Sequence, residues 1–307
     1  MIATAHPSYL RHRDLAEVSR ILKKKLSPCE LCPFRCGAER ARGRLGRCRS
    51  GYLPKIASAT LHSGEEPPIS GERGSGTIFF SGCPLRCAFC QNYPISQYCN
   101  GNEISEEELA GEMLELQVKG AHNINLVTPT HFVPQIVSAI RIAADRGLRM
   151  PIVYNSGGYE DVEVLKLLEG IVDIYLPDMK YGDDENALKY SGVPHYTAVN
   201  RAAIREMFRQ VGEPVFGEDG IMIRGLVIRH LVLPYGLSST ERVLEFIASL
   251  SRGIGISLMG QYFPAHRALS IPELMRKITP REYETALELL DRYGLENGWF
   301  QYDSDAF

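Results

Sequence analysis

Thr77-Ile-Phe-Phe-Ser-Gly-Cys-Pro-Leu-Arg-Cys-Ala-Phe-Cys-Gln-Asn92 is the stretch whose reading decides the fold. Its first part is a short run of β-branched and aromatic residues closed by Gly82, the pattern of a buried strand over 77–82. Cys83, Cys87 and Cys90 follow at once, so three thiols occupy the loop at the strand's C-terminal end. Barrels built from β-α units place their chemistry at that end of their strands. Three closely spaced thiolates suit an iron–sulfur cluster, and a cubane held by only three keeps one iron open to an outside ligand. Buried or zinc-binding cysteines are the competing reading.

Downstream of this stretch, strand-like runs alternate with helix-like segments. The strands are expected at 123–128, 151–156, 171–178, 224–233 and 255–263. Ser105–Glu108, Ser238–Glu241 and Thr279–Glu282 each carry the capping-box pattern, the last two before helices predicted at 239–250 and 280–293. Gly294 reads as the residue that ends the last helix. Near-continuous apolar strands in β-α series predict an α/β fold with a parallel sheet covered by helices. Six such strands, where a closed barrel has eight, predict an incomplete barrel. The aromatic and acidic tail from Trp299 is expected to close one end of it.

Upstream, residues 62–76 are rich in turn formers and divide the chain into a segment 1–65 and a barrel 66–307. Residues 9–26 are spaced as one face of a helix, and Lys23, Lys24 and Lys25 near its end complement the helix dipole. A solvated helix end explains these lysines better than nucleic-acid binding does. Cys29, Cys32, Cys36 and Cys48 follow on a loop rich in Gly and Pro, a strong pattern for a small Cys-rich metal-binding segment. Structural zinc and a second [4Fe-4S] cluster both fit this spacing, and cysteines without metal are the bland alternative. Arg35, Arg40, Arg42, Arg44, Arg47 and Arg49 face only Glu30 and Glu39 on this loop. Such a patch suits docking of an acidic electron donor or substrate, or is a solvated surface that offsets cluster charge.

The length of 307 residues is enough for one large α/β domain with a small appendage. A net charge of −3 gives no general attraction to nucleic acid or anionic membrane. No apolar run approaches the roughly 20 residues that span a bilayer, and the first residues lack the apolar core of a signal peptide. The expectation is a cytoplasmic protein with no membrane association. In that compartment eight cysteines, none after residue 99, read as metal ligands rather than disulfides. Cys99 stands apart and reads as structural, because a fourth ligand would block the open iron.

Cys-x3-Cys-x2-Cys, with Phe89 directly before its last cysteine, resembles the signature of the radical S-adenosylmethionine (SAM) enzymes. The resemblance implies a partial (β/α)6 TIM-like barrel and a [4Fe-4S] cluster whose open iron chelates the amino and carboxylate groups of SAM. It also implies reductive cleavage of SAM, a co-substrate, to methionine and a 5′-deoxyadenosyl radical that abstracts hydrogen, an oxidoreductase chemistry. The strings EEPPIS, GSGTIFFSGC, CQNYPISQ, VTPTHFVPQI, YNSGGYE and YLPDMKY are further similar to a group of pyruvate formate-lyase activating enzyme homologues.

By that resemblance, Thr128 and Thr130 stand where many members hold the SAM amino group with Gly-Gly-Glu, although neither glycine nor the glutamate is present here. Phe89, Asn155 and Ser156 would meet SAM. Asp178 would accept from the amine or from a monovalent cation, and Lys180 would neutralise the SAM carboxylate. Tyr262 and His266 are weaker candidates for the cavity lining, and His131 reads as a packed histidine. Reduced flavodoxin or ferredoxin is the implied electron donor, and a backbone glycine of a partner protein the implied target. Modification of a small molecule or peptide side chain is the second reading. The third is a non-catalytic Fe–S or zinc protein that carries electrons or binds nucleic acid.

Overall fold

The computed structural model describes residues 6–11 and 14–300. Helix α1 (Leu15–Lys24) is followed by the cysteine-bearing loop and by β1 (Lys55–His62). Then come α2 (Pro67–Ser70), β2 (Ser75–Phe80), α3 (Tyr93–Ser96), β3 (Asn102–Glu103) and α4 (Glu106–Val118). The next elements are β4 (Ile124–Val127), α5 (Val133–Asp145), β5 (Ile152–Ser156), α6 (Val162–Lys166) and β6 (Ile174–Pro177). Helices α7 (Asp184–Ser191) and α8 (Tyr196–Val211) precede β7 (Val215–Phe216) and β8 (Met222–Leu231). The chain ends with α9 (Thr240–Leu250), β9 (Gly255–Met259), α10 (Pro280–Tyr293) and β10 (Gly298–Phe300).

One 10-stranded sheet runs in the order β10-β9-β8-β6-β5-β4-β2-β1-β3, with β7 paired to β8. Along this path the strands β2, β4, β5, β6, β8, β9 and β10 are parallel to one another. β1 is antiparallel to β2, and β3 to β1. This is the α/β partial barrel the sequence predicts, its six expected strands in place. Two additions were not foreseen. β1, N-terminal to the turn-rich 62–76 stretch, extends the same sheet, and that stretch itself contains α2. Trp299 belongs to a further parallel strand, β10, and the tail beyond Phe300 lies outside the described residues.

Strand periodicity separates the two faces of the sheet. Ile152 and Tyr154, Tyr175, and Leu226 and Ile228 belong to the main helix-covered core. Val153, Ile174, Leu176 and Val227 form a second cluster with Ile69 and Met222, on the inner face. Asn155, Asp178 and Arg229 each lie two residues beyond an inner-face residue, so all three project inward at the C-terminal ends of their strands.

Several element bounds differ from expectation. The strand expected at 171–178 begins at Ile174, because Asp173 spends its side chain accepting from the Ser8 and Ile152 amides. The strand expected to 263 ends at Met259. The helix expected over 9–26 is a 3-10 turn at Ser8–Leu10 and then α1, capped by Asp14. Ser105 and Thr279 form complete capping boxes, and Gly294 ends α10 in the left-handed conformation. Ser238 does not form one. Helix α9 starts at Thr240 after a left-handed Ser239, and the Ser238 hydroxyl accepts from the Leu233 amide. No helix among the described residues is long and apolar enough to cross a membrane.

Candidate functional site

The cysteine loop leaves β2 at Gly82, whose φ of 84° and close packing exclude any side chain. A Cβ there would meet the Cys48 carbonyl at 2.5 Å and Ser50 Oγ at 2.7 Å. The loop is then pinned from several sides. The Arg86 and Ala88 amides donate to the Ser191 and Tyr190 carbonyls at 3.1 and 2.7 Å, tying it to α7. Cys87 Sγ accepts from Ser191 Oγ at 3.0 Å, and Cys90 Sγ lies 3.1 Å from Ser96 Oγ. Burial first, and then the neighbouring Cys87 and Cys90, push the Cys83 thiol far up, so the three sulfurs share one electrostatic neighbourhood. Phe89 is buried edge-on against Tyr181 and Tyr262.

A cavity of about 230 Å³ opens beside this loop. Cys87, Phe89, Cys90, Asp178, Lys180 and Arg229 are among its walls. Lys180 Nζ pairs with one oxygen of Asp178, and Arg229 Nε donates to the other at 2.9 Å. Burial works against the charge on each partner. For Asp178, Arg229 and Lys180 outweigh it and hold the carboxyl below its usual range. For Lys180, Asp178 and Cys87 outweigh it and raise the ammonium. Arg229 also donates from Nη2 to Asn155 Oδ1 at 2.9 Å and approaches Glu65 Oε2 at 3.6 Å.

The backbone that carries these side chains is clamped from behind. Tyr196 Oη accepts from the Lys180 amide at 2.7 Å, and Asn200 Nδ2 donates to the carbonyls of Gly158 and Asp178 at 2.9 and 3.0 Å. His230 Nδ1 lies 2.6 Å from the Met179 carbonyl, and burial lowers its pKa to about 4, so the ring is neutral. Gly158 has φ 72°, and a Cβ there would meet the Asp178 carbonyl at 2.1 Å. It lets the loop after β5 pack closely against the end of β6.

Asn155, Asp178, Lys180 and Phe89 thus converge near the three cysteines, whereas Thr130 and Ser156 do not. Ser156 has the outward parity of Ile152 and Tyr154 on β5, and its hydroxyl accepts from the Gly158 amide. Thr130 donates to Glu160 Oε1 at 2.7 Å, beside Tyr154 Oη on Glu160 Oε2 at 3.1 Å. Burial raises Glu160 to about 7, against the hydrogen bonds it accepts. Thr128 is held at φ 59°, an uncommon conformation for a β-branched residue. Tyr262 is buried with its hydroxyl on the Leu274 carbonyl at 2.7 Å, and His266 stacks on Tyr93. His131 is buried with Nε2 on the Ser81 carbonyl, and burial lowers it to about 3, as a packed histidine requires.

The N-terminal cysteines form a second gathering. The Cys29 amide donates to the Ala38 carbonyl and the Gly37 amide to the Cys29 carbonyl, closing a tight loop. A Cβ on Gly46 would lie 3.4 Å from Cys48 Sγ and 3.5 Å from Cys36 Sγ, so those sulfurs flank one point. Cys32 is held up by burial and then by Cys48 and Cys29. Arg40 is no surface residue. Its guanidinium is fully buried, donating to the Gly51 carbonyl at 2.7 Å and reaching 3.9 Å from Cys29 Sγ. Arg47 stacks on Phe34, and Arg35 pairs with Asp161, which leaves a smaller basic surface than the sequence implied.

Among the described residues no three Cys, His, Asp or Glu side chains are locked into metal-ligating geometry. The donor set still fits a cubic iron–sulfur cluster with one open iron. Three thiols come from one loop, and two of them, Cys87 and Cys90, share a cavity with Asp178, Lys180 and Arg229, charges that suit a zwitterionic ligand.

A parallel β-α partial barrel with such a loop after its first parallel strand defines an iron–sulfur-dependent class of radical enzymes. The chain belongs to the radical SAM superfamily, whose family model matches residues 77–247, and membership implies an enzyme with a [4Fe-4S] cluster and SAM. The uncharacterised protein MJ0674 of Methanocaldococcus jannaschii is 32% identical over 291 residues, covering 90% of this chain and 78% of that protein. The pyruvate formate-lyase-activating enzyme of Clostridium pasteurianum is 25% identical over 203 residues, 63% of this chain and 76% of that enzyme. A radical SAM methyltransferase from Sphaerobacter thermophilus superposes with TM-score 0.52 at 14% identity, over 76% of this chain and 67% of that one. The maturase HydG from Carboxydothermus hydrogenoformans gives 0.51 at 15% identity, over 71% of this chain and 50% of that one. At these identities the two structures share the fold.

Arg229, Tyr196, Asn200 and His230 were missed by sequence reasoning. Arg229 was the legible one, the one permanent charge, next to His230, in the run Leu226–Leu233 that is otherwise apolar.

Proposed function

We propose that this enzyme cleaves SAM reductively beside Cys83, Cys87 and Cys90 and uses the resulting radical to abstract hydrogen, as an activating enzyme does from a backbone glycine of a partner. The observation that carries the reading is the cavity shared by Cys87 and Cys90 with the Lys180–Asp178–Arg229 network. The cluster, when bound, supplies the electron that breaks a carbon–sulfur bond of SAM. The chain's part is to hold and orient. Lys180 presents an ammonium to the SAM carboxylate, while Asp178 and Asn155 offer acceptors to its amine or ribose. The Phe89 ring, packed between Tyr181 and Tyr262, closes one wall against water. Similarity to the Clostridium pasteurianum activating enzyme supports the glycyl target.

Cys29, Cys32, Cys36 and Cys48 form a second metal site in this reading, for zinc or an auxiliary cluster. The exposed Arg42, Arg44 and Arg49 beside it suit an acidic donor such as flavodoxin or ferredoxin. Abstraction from a small molecule or side chain is favoured by a second, neighbouring cavity whose lining includes Glu66, a residue with an unpaired carboxylate oxygen.

The test is release of 5′-deoxyadenosine and methionine from SAM by anaerobically reconstituted, reduced enzyme. Wild type is expected to release both and Cys87→Ala neither. Turnover by Cys87→Ala at the wild-type rate would overturn the assignment.

A further inference from the structure

The second cavity, about 280 Å³, shares Arg229, Met259 and Gln261 with the first. Any molecule in it therefore lies next to whatever the cysteine loop and Lys180 hold. Its other walls include Glu65, Glu66, Ser257 and Trp299. Glu66 is 8% exposed, and its Oε2 is buried with no hydrogen-bond partner. A buried carboxylate oxygen without a partner costs about 1–3 kcal/mol or more, so Glu66 Oε2 calls for a water, an ion or a ligand group to complete it. Asn125 lies against Glu65 inside the barrel, and its amide likewise lacks a well-formed hydrogen bond.

The charges give the sign of that ligand. Glu65, Glu66 and Asp178 all act on Arg229, and Lys180 is the other cation of the network. Lys180 and Arg229 are both committed to Asp178, and Arg229 also approaches Glu65 at 3.6 Å, whereas Glu66 Oε2 is left without a partner. These carboxylates do not gather as a metal site. Trp299 adds an aromatic side chain to the same lining. A carboxylate and an indole lining one cavity suit an organic cation, which can take a charge-assisted hydrogen bond from one and a cation–π contact from the other.

We infer that the cavity between Glu66 and Trp299 binds the cationic nitrogen, an alkylammonium or guanidinium, of the enzyme's hydrogen-donating substrate. The assignment of this ligand as substrate rests on the radical SAM reading above; the cation site itself does not. Glu66 holds the nitrogen at one end, so that carbon atoms of the ligand extend past Arg229 and Met259 toward the cysteine loop.

The experiment is saturation-transfer NMR on the full, reconstituted chain with SAM present, using n-butylammonium chloride as probe and n-butanol as neutral control. Wild type is expected to bind butylammonium at least tenfold more tightly than butanol, and Glu66→Gln to lose that preference. Cys87→Ala is expected to keep it, which separates this site from SAM cleavage. Equal binding of the two probes to wild type, or an undiminished preference in Glu66→Gln, overturns the inference. Should Glu66→Gln not fold, Trp299→Leu is expected to weaken butylammonium severalfold while leaving butanol unchanged, and an unchanged ratio there also overturns it. Failure of wild type to cleave SAM would sink the catalytic reading and leave the binding result standing.

Discussion

Arg229 joins three groups from three different segments. Its Nε meets Asp178, its Nη2 meets Asn155, and its Nη1 faces Glu65. A lysine can satisfy one of these but not span them, because only the guanidinium is a planar fork. Arg229→Lys is expected to release Asn155 and loosen Asp178, with loss of one charge-assisted hydrogen bond, about 1.5–3 kcal/mol. The KM for SAM should then rise roughly tenfold or more with a smaller fall in kcat; a change in kcat alone would place Arg229 elsewhere. Glu160 makes a separate point about what sequence hides. It follows Asn155-Ser-Gly-Gly-Tyr159 with nothing in the local sequence to mark it, and it is buried under Thr130 and Tyr154. Burial raises it from 4.5 to about 7, so the folded chain holds this proton more tightly than the unfolded chain. Its contribution is therefore full below about pH 4.5 and is lost as pH rises to 7, at most about 3 kcal/mol at 1.36 per unit. His131 and His230, lowered to about 3 and 4, act in the opposite sense and lose stability as pH falls below 6.5. The clean readout is thus a difference: thermal stability of wild type minus Glu160→Gln should fall between pH 5 and 7.5. A flat difference would show Glu160 ionised throughout.

The two glycines after β5 look alike in sequence and differ in the element they serve. Gly158 needs its positive φ and has no room, since a Cβ there would come within 2.1 Å of the Asp178 carbonyl and 2.4 Å of Asn200 Nδ2. Gly157 has an ordinary backbone, and a Cβ would touch Leu85 no closer than 3.4 Å. Gly158→Ala is therefore expected to destabilise the chain by about 3 kcal/mol or more, and Gly157→Ala by less than about 1 kcal/mol. Denaturant unfolding compares them, and equal losses would contradict the packing role. Strand–helix alternation made the six expected strands legible, since a near-continuous apolar run bounded by turn formers is a local pattern. The capping boxes at Ser105 and Thr279 were legible for the same reason, each being complete within four residues. The box at Ser238 failed because the hydroxyl accepts from the Leu233 amide, five residues back in the same loop, instead of capping the helix. β1 was hidden because its exposed face breaks the apolar run, and its pairing with β2 is a property of the sheet. Thr130 and Ser156 were misplaced for a related reason, since motif position names a strand end without saying which face a side chain takes.

At the scale of the whole molecule, the N-terminal loop and the barrel are packed together where the two sets of cysteines meet. The Cys48 carbonyl lies against Gly82, one residue before Cys83. Arg86 donates to the Arg47 carbonyl at 3.1 Å, and Arg47 to the Gly192 carbonyl at 2.9 Å, next to the Ser191 that holds Cys87. Phe34 packs on Tyr159 and Arg40 on Phe132, so the loop is seated on the ends of β4 and β5. This contact has two meanings, support of the barrel loop or passage of electrons to it, and substitution can separate them. Cys32→Ala removes one thiol from the N-terminal group without touching the residues that contact Gly82 or Cys87. It is expected to lower the bound metal by the content of one site, read as iron, sulfide and zinc, while the barrel keeps its cluster. SAM cleavage driven by a chemical reductant should then persist at a reduced rate, because the Cys83–Cys90 loop remains pinned by α7. Cys87→Ala should do the reverse, retaining the N-terminal metal and abolishing cleavage. Complete loss of cleavage in Cys32→Ala, in folded protein with an intact barrel cluster, would make the N-terminal metal an obligatory relay rather than a support.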